Sequence, residues 1–267
     1  MLWRTLKHVE HGFYIDVGAN DPTIESVTKA FYDRGWSGIN IEPLTSHHAD
    51  LAAARPRDTN IRCAVGEASG ETDIWECDVR GWTTASAIVV SQHQSEGHQG
   101  TLHKVPVSTL AEICEKYVQD DIHFLKIDVE GFEKQVVSGM DLSRFRPWVI
   151  VIEATKPNTT EEAYEDWEPM VLSGGYLFAY ADGLNRFYVS NMHVELLASL
   201  KYPPNVFDHF IRAEHLQSEL KAQQAEARAT QTESRINDLL NSTSWRITFP
   251  LRWAARKLRK LKRGSGG

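Results

Sequence analysis

The chain has 267 residues, of which 42% are hydrophobic, and its formal net charge is −7. This length and composition predict one large α/β domain with a full core, or such a domain with an appendage. We expect neither a membrane-spanning segment nor a signal peptide, because the apolar runs are short and the N-terminus lacks the pattern of a leader. Cys63, Cys77 and Cys114 are widely spaced without a CxxC motif. That spacing favours buried, reduced thiols in a cytoplasmic protein over disulfides or a zinc site.

The charge is divided unevenly along the chain. Residues 211–267 carry 12 Lys and Arg against 5 Asp and Glu, which is +7, so residues 1–210 carry −14. The acidic part, residues 1–210, is a poor candidate for nucleic-acid binding, because phosphate binding needs clustered cations. The uneven distribution of charge predicts that the acidic residues 1–210 and the basic residues 211–267 have separate roles.

Strand-like and helix-like segments alternate up to about residue 190, which predicts a mostly parallel sheet with helices on both faces. The predicted strands are, in chain order, GFYIDV, GINIE, NIRCAV, ETDIWEC, HKVPV, IHFLKIDV, WVIVIEA and the two strands within YLFAYADGLNRFYVS. The predicted helices are PTIESVTKAFYDRG, PLTSHHADLAAAR, the segment after HKVPV, EGFEKQVVSGM and EEAYEDWEPMVLSGG. Asp182-Gly183 signals a hairpin, which gives the sheet an antiparallel strand near its C-terminal end.

The residues after 210 differ in composition from the body. Residues 211–243 lack Gly and Pro and are rich in Ala, Gln and Glu. They predict either a solvated single helix or a short coiled coil that could form a homo-oligomer. We therefore expect three parts: a domain over 1–210, a polar helix or short coiled coil over 211–243, and a tail over 244–267.

The tail has the pattern of an interfacial helix. Between Trp245 and Arg263 there are eight Lys and Arg and no acidic residue. Leucine and alanine fall on one helical face and arginine on the other, a pattern typical of helices that bind anionic lipid. A solvated basic tail or a nucleic-acid patch is the alternative. The residues assigned to membrane binding are Trp245, Arg252, Trp253, Arg256, Lys257, Arg259 and Lys260.

Acidic residues follow several of the predicted strands. In open α/β sheets, ligands bind beyond the carboxyl ends of the strands. The residues placed there are Asp16, Gly18, Asn20, Glu42, Asp128, Glu130 and Glu153. An acidic site argues against a pyrophosphate ligand, which needs backbone donors, several glycines and a cation.

A cationic cofactor fits this acidic site better. S-adenosylmethionine carries a sulfonium, an ammonium and a ribose diol, and Glu42 ends the strand where an acid accepts ribose hydroxyls. Gly18 allows close approach of the backbone to a ligand. Asp16 or Asn20 could orient the amino-acid end of the cofactor. Ala64 and Val65, at the end of the third predicted strand, are also assigned to the cofactor site.

These segments carry a family resemblance. FYIDVGAN, GINIEP, KVPVSTLAEI, FLKIDVEGFEKQVVSGM and WVIVIEA, in this order, resemble the FkbM-type S-adenosylmethionine-dependent methyltransferases from about Gly12 to Asn191. The resemblance implies a Rossmann-like class I methyltransferase fold and O-methylation, commonly of sugar hydroxyls. It matches Asp16, Gly18 and Asn20 to the first cofactor motif, Glu42 to the ribose acid, and residues 128–131 to the signature after the fourth major strand. Pro22 stands where family members often have a second glycine, so the loop at the methionine end is expected to differ in shape.

Methyl transfer to oxygen needs alignment of the reactants and a place for the alcohol proton. The candidate bases are Asp128, Glu130 and a histidine of the segment SQHQSEGHQGTLH, which is predicted to be a flexible insert. His93 is the histidine assigned to this role. Glu133 is expected on a helix surface, and Lys126 is expected to be only a neighbour of the carboxylates.

Two further sites are predicted around these bases. Asp128 and Glu153 at adjacent strand ends could hold a divalent cation that acidifies the sugar hydroxyl. Trp82 and Ser86, in GWTTASA, are a candidate sugar platform, because aromatic rings suit the apolar faces of sugars. Glu153 is also assigned to the substrate site.

Together these patterns predict a cytoplasmic O-methyltransferase at the inner membrane face that acts on a saccharide, a cell-surface polysaccharide or lipid-linked glycan. SWRITFPLR in the tail resembles the ends of bacterial polysaccharide glycosyltransferases. Methylation of a terminal hydroxyl would cap such a chain. The alternatives are an O-methyltransferase of a small-molecule or macrolide hydroxyl, an NAD-dependent oxidoreductase, and a non-catalytic scaffold.

Overall fold

The computed structural model describes residues 1–208 and 213–264, and it describes side-chain surroundings within them except at 213–214, 217 and 257–264. The chain forms two compact units, Met1–Pro204 and Asn205–Gly267. The predicted boundary between residues 210 and 211 lies outside the described residues.

The first unit contains strands and short helices in alternation. The strands are β1 (Phe13–Val17), β2 (Ser37–Ile41), β3 (Thr59–Ile61), β4 (Ala64–Val65), β5 (Gly70–Cys77), β6 (Gly100–Ser108), β7 (Phe124–Ile127), β8 (Val149–Glu153), β9 (Tyr176–Ala181) and β10 (Asn185–Ser190). The helices are α1 (Leu2–Leu6), α2 (Lys29–Tyr32), α3 (Thr45–Ala54), α4 (Ala87–Ser95), α5 (Leu110–Tyr117), α6 (Glu133–Ser138), α7 (Glu168–Ser173) and α8 (Leu197–Leu200), with a 3₁₀ turn at Val194–Leu196.

Seven strands form the main sheet, in the order β3-β2-β1-β7-β8-β10-β9. The first five of these are parallel, whereas β10 runs antiparallel to both β8 and β9. The predicted α/β fold, with a mostly parallel sheet and a C-terminal hairpin, is confirmed. β2 and β3 lie on one side of β1, whereas β7 and the strands after it lie on the other side. The direction in which strands are added to the sheet therefore reverses between β1 and β7. Ligands in such sheets bind at this point of reversal.

The main sheet separates two hydrophobic cores. Successive side chains of a strand point to opposite faces. Ile15, Leu125 and Ile150 therefore join one core with α5, α6 and α7, whereas Tyr14 and Phe124 join the other with α1, α2 and α8. Burial on both faces explains why these strands are predominantly apolar in sequence.

A second, three-stranded sheet has the order β4-β6-β5. The predicted strand NIRCAV is split, because β3 pairs with β2 in the main sheet while β4 pairs with β6 in the small one. The histidine-containing segment is not a flexible insert. Its first half forms the C-terminal part of α4, and its second half enters β6, which pairs with β5 along its length.

The predicted helix after β1 is largely absent. Only α2 is helical, and the preceding residues form turns. The Asp21 carboxylate accepts hydrogen bonds from the backbone N–H groups of Thr23 and Ile24, at 2.8 Å each, which closes a turn instead of capping a long helix. Ile24 is exposed, while Thr28 is buried, so this segment does not present the apolar face of an amphipathic helix.

The second unit is helical in its described residues. It contains a 3₁₀ turn (Val206–Asp208), α9 (Ala213–Asn241), α10 (Thr243–Ile247) and α11 (Phe249–Gly264). The C-terminal helical extension is thus confirmed, whereas the predicted coiled coil and homo-oligomer remain predictions. Within residues 1–208 and 213–264, no helix is both long and apolar enough to cross a membrane.

Candidate active site

A cavity opens at the carboxyl ends of β1, β2 and β7, where the strand order reverses. Its lining includes Asp16, Gly18, Asn20, Glu42, Ala64, Val65, Trp82, Asp128 and Glu130. The six residues assigned to the cofactor from sequence are therefore brought together around one cavity. Which of them touch a cofactor stays a prediction.

Gly18 determines how β1 meets β7. Its φ is +77°, and a Cβ atom added there would lie 1.9 Å from the backbone oxygen of Asp128. The N–H groups of Gly18 and Ala19 both donate to the carbonyl of Ile41, at 3.1 and 3.2 Å. The close approach that requires glycine is therefore made to the end of the neighbouring strand, whereas the sequence suggested an approach to the ligand.

Glu42 organises the loops after β1 and β2. The backbone N–H of Asn20 donates to its Oε2 at 3.1 Å, and that of Leu44 donates to Oε1 at 3.0 Å. His47 Nδ1 lies 3.7 Å from the same Oε1. The carboxylate is thus fixed at the wall of the cavity, and each oxygen has a further lone pair for a ligand hydroxyl.

Lys126 links the acidic ends of two strands. Its Nζ lies 3.3 Å from Asp16 Oδ1 and 3.2 Å from Asp128 Oδ2, and it donates to the carbonyl of Gly18 at 3.3 Å. Burial alone would lower the pKa of Lys126, but the Asp128 and Asp16 carboxylates outweigh it and raise that pKa above its usual range. A charged Lys126 therefore neutralises part of the negative site.

A buried hydrogen-bond chain holds Asp16 from its other side. Thr28 Oγ1 donates to Asp16 Oδ2 at 2.9 Å, and Arg55 donates to the same Thr28 hydroxyl at 3.2 Å. Arg55 also donates to the carbonyl of Pro22 and the hydroxyl of Ser26, the latter at 2.9 Å. This network fixes the irregular segment after β1, which explains why that segment is not helical.

Three glutamates surround Asp128. Burial raises the pKa of Glu130 to about 8 and that of Glu153 to about 10, with the Asp128 carboxylate as the next cause in both. Glu133 is buried, contrary to the expected surface position, and accepts hydrogen bonds from the N–H groups of Val129 and Gly131 at 3.2 Å each. Its burial also raises its pKa. The raised pKa values favour the neutral, protonated forms of these glutamates in the absence of a further cation.

His93 does not fit the role of a base. It lies on α4 and is 0% exposed, with its ring stacked between Trp75 and Trp82 at centroid distances of 5.9 and 5.1 Å. An imidazole enclosed in this way cannot meet an acceptor hydroxyl in this conformation. Its ring packs against Trp82, which lines the cavity. Ser86 caps α4, because its hydroxyl accepts from the N–H of Val89; its assignment to the sugar platform stays a prediction.

The segment between β5 and α4 crosses the mouth of the cavity. Arg80 contacts the loop after β1 by donating to the carbonyl of Asn20 at 2.9 Å and lying 3.4 Å from Asp21. It also pairs with Asp50 of α3 at 3.1 Å. Thr84 Oγ1 donates to the carbonyl of Glu130 at 2.7 Å, so this segment is fixed at both ends of the cavity.

A second opening adjoins the first cavity. Glu130 lines both of them, and the second is also lined by Glu153, Thr155, Asn158, Thr159, Thr160 and Leu184. The carboxylates of β7 and β8 therefore lie between two openings. Three threonines and one asparagine line the second opening beside the two glutamates, and their hydroxyl and amide groups can hydrogen-bond a polar ligand.

The residues assigned to the membrane lie in the second unit. Trp245, Trp253 and Arg256 are exposed, and the guanidinium of Arg252 lies 3.8 Å from the ring centre of Trp245. Lys257, Arg259 and Lys260 belong to α11, but their side chains lie outside those that the structure describes. Membrane binding remains a prediction.

A mostly parallel sheet with an acidic cleft at its point of reversal is typical of α/β proteins that bind a nucleoside-containing cofactor. The family model described as the methyltransferase FkbM domain matches residues 16–178. This match covers more than half of the chain, so the chain belongs to the FkbM methyltransferase family. S-adenosylmethionine is the methyl donor that membership implies. No curated protein and no solved structure shows a significant match to the chain.

Sequence reasoning placed Lys126 beside the carboxylates but did not predict that it holds Asp16 and Asp128 in place, and it missed Thr28 and Arg55. Lys126 precedes Asp128 by two positions, and side chains two positions apart along a strand point to the same face of the sheet. This spacing was a signal in the sequence that Lys126 lies beside Asp128. Thr28 and Arg55 gave no comparable signal, because their contacts to Asp16 depend on how distant segments pack. Thr155, two residues after Glu153, could have been found by the same alternation.

Proposed function

We propose that this protein transfers a methyl group from S-adenosylmethionine to a hydroxyl group of a saccharide. The observation that carries the proposal is the position of Asp128, Glu130 and Glu153 between the acidic cavity and the hydroxyl-lined opening. A donor in the first and an acceptor in the second would meet at these carboxylates.

The first cavity suits the donor. Glu42 is fixed by two backbone N–H groups and accepts the ribose hydroxyls. Asp16 and Asp128 supply negative charge that Lys126 neutralises only in part, which favours a ligand carrying a sulfonium and an ammonium. The single glycine of the loop is sufficient, because no pyrophosphate has to be enclosed.

The transfer itself is an in-line displacement. The acceptor oxygen forms a bond to the methyl carbon while the bond between carbon and sulfur breaks, which leaves the neutral S-adenosylhomocysteine. The hydroxyl proton passes to Asp128, whose carboxylate Lys126 orients at 3.2 Å. The chain mainly supplies alignment of the two reactants, which is worth a large part of the rate increase in such reactions.

The second opening favours a saccharide over a macrolide-like acceptor. The second opening offers hydrogen-bond donors and acceptors that match the closely spaced hydroxyl groups of a sugar. They belong to Thr155, Asn158, Thr159 and Thr160. The basic α11 would hold the domain at an anionic membrane surface, where lipid-linked glycans are assembled. A surface polysaccharide is therefore the proposed destination of the methyl group.

The test compares surface polysaccharide from cells that lack this protein with that from cells complemented by the wild-type chain or by the Asp128→Asn variant. We expect one O-methylated sugar to be absent without the protein, restored by the wild type and not by the variant. A longer average chain in the deficient cells would support a capping role. Unchanged polysaccharide methylation, together with methyl transfer to small alcohols in vitro, would favour a small-molecule acceptor instead.

A further inference from the structure

The carboxylates between the two openings form a compact group of oxygen ligands. One side-chain oxygen from each of Asp128, Glu130 and Glu153 lies within 4.8 Å of the others. Oxygen ligands of one Mg²⁺ or Ca²⁺ lie at about 2.0–2.6 Å from the ion, so their mutual distances fall within about 5 Å. The geometry is therefore compatible with a shared cation.

Two buried atoms at this place lack a partner within the described residues. Glu153 is 8% exposed, and its Oε2 makes no hydrogen bond. Thr155 is 6% exposed, and its Oγ1 also makes none. Both residues line the second opening. An unpaired buried hydroxyl or carboxylate costs free energy that a bound ion or ligand would recover.

The neighbouring lysine does not satisfy this group. The ammonium group of Lys126 contacts Oδ2 of Asp128 and Oδ1 of Asp16. Glu133 uses its carboxylate to bind two backbone N–H groups of the loop after β7. Among the described residues, Lys126 therefore forms its ion pairs with Asp16 and Asp128, and it forms none with Glu130 or Glu153.

We propose that Asp128, Glu130 and Glu153 bind one divalent cation of the class that prefers hard oxygen ligands, Mg²⁺ or Mn²⁺, and that the acceptor hydroxyl completes its coordination. The ligand set contains carboxylates and no thiolate or imidazole, which favours these ions over zinc. The acceptor part of this inference rests on the proposed function, because it assumes that the acceptor enters through the second opening.

The cation would activate the acceptor. An alcohol oxygen bound to it would lose its proton more readily, and a water molecule, in place of the cation-bound Asp128, would take that proton as the bond between oxygen and methyl forms. The cation would also order Glu153 and Thr155 toward the second opening. It would have no contact with the ribose end of the donor, which lies by Glu42, so donor binding and cation binding are separable.

The experiment titrates Mn²⁺ into the full chain without donor or acceptor and follows free Mn²⁺ by electron paramagnetic resonance. We expect one ion per chain, with the dissociation constant at least tenfold higher in Glu153→Gln and in Glu130→Gln. Glu71→Gln serves as the matched control, because Glu71 is exposed on β5 and pairs with Lys104 at the surface. Its affinity should equal that of the wild type.

Absence of Mn²⁺ binding, or equal affinity in the wild type and both variants, would overturn the proposal. Thermal unfolding in EDTA shows whether each variant is folded. The added Mn²⁺ should raise the melting temperature of the wild type and of Glu71→Gln more than that of Glu153→Gln.

A separate measurement distinguishes failure of this inference from failure of the proposed function. Calorimetry of S-adenosylmethionine binding in EDTA reports on the donor site alone. Donor binding together with full methyl transfer in EDTA would refute the cation and leave the function standing. Mn²⁺ binding without any donor binding would support the cation site and refute the function.

Discussion

The ammonium of Lys126 lies 3.3 Å from Oδ1 of Asp16, and both side chains are buried at the point where β1 and β7 separate. The pair joins the two strand ends that form the floor of the cavity. Asp16 is held on its other oxygen by Thr28, so its orientation is fixed from both sides. A buried ion pair of this kind costs desolvation, and its loss is most damaging when one partner remains.

Replacement of Lys126 by Met should therefore destabilise the fold as well as the site. The variant leaves Asp16 buried without its counter-charge, and we expect the free energy of unfolding to fall by about 3–5 kcal/mol. Urea unfolding measures this change. Lys134→Met is the control, because its pair with Asp166 is exposed and should contribute at most about 1 kcal/mol. Equal effects of the two substitutions would contradict the role given to Lys126.

The close approach at Gly18 can be tested by comparing it with Gly183, which also has a positive φ. In Gly18→Ala the new Cβ would clash with the backbone oxygen of Asp128, while Gly183→Ala, at φ +96°, has no atom within 4 Å. Both changes bear the cost of a left-handed residue, about 1–2 kcal/mol. We expect Gly18→Ala to cost about 1–3 kcal/mol more. A chemical denaturation curve that gives the same loss for both would show that the clash is relieved.

Stability should also depend on the protonation of His123. Its Nδ1 accepts a hydrogen bond from the backbone N–H of Phe13 at 3.0 Å, which requires an unprotonated nitrogen. Burial lowers the pKa of His123, although the Asp121 carboxylate opposes part of the shift. The unfolded chain takes up this proton near pH 6.5, as a free histidine does. The folded chain does so only at a lower pH, so this stabilisation is complete above about pH 6.5 and is lost as the pH falls toward the folded pKa.

The measurement for His123 is urea unfolding between pH 7.5 and pH 5. The wild type should lose stability on acidification, and His123→Gln should show a shallower decline. His215→Gln is a suitable control, because His215 is exposed on α9. An identical pH dependence in the wild type and His123→Gln would remove this residue from the account.

The basic residues of helix α11 are predicted to bind anionic membranes. Neutralising Arg256, Lys257, Arg259 and Lys260 as glutamines should lower the partition onto vesicles that contain phosphatidylglycerol by at least roughly a hundredfold, since each cation near such a surface contributes about 1 kcal/mol. Vesicle co-sedimentation of the full chain measures this partition. Wild-type binding should weaken as salt is raised.

The control for the tail removes charge from the preceding helix. Lys221→Gln, Arg228→Gln and Arg235→Gln together lie on α9 and leave α11 intact. Vesicle binding should be close to that of the wild type. If this control releases the protein as strongly as the α11 variant, net charge and not the tail decides binding.

The main sheet could be predicted from the sequence because its signal is local. IHFLKIDV and WVIVIEA are predominantly apolar over a strand's length, which is the pattern of a strand covered on both faces. The segment after β1 could not be predicted, because its helical pattern is overridden by contacts with a distant residue. Arg55 binds Pro22, Ser26 and Thr28, and a turn satisfies these contacts where a helix would not.

The candidate site was predictable to a similar extent. Acids that follow parallel strands must meet at one edge, so Asp16, Glu42 and Asp128 could be grouped without coordinates. The position of His93 could not be foreseen, since a histidine beside polar residues gives no sign that two tryptophans enclose it. Its stacking depends on how β5 and α4 pack, which is a tertiary property.

The central claim is that the acidic cavity binds a cationic methyl donor through Glu42 and the carboxylates beside it. Isothermal calorimetry with S-adenosylmethionine tests it most directly, on the wild type and on Glu42→Gln, with NAD as the comparison ligand. We predict saturable binding of the donor by the wild type, binding about tenfold or more weaker in Glu42→Gln, and no binding of NAD. The absence of any heat of binding for the donor in a folded sample, or equal affinity in the variant, would contradict the claim.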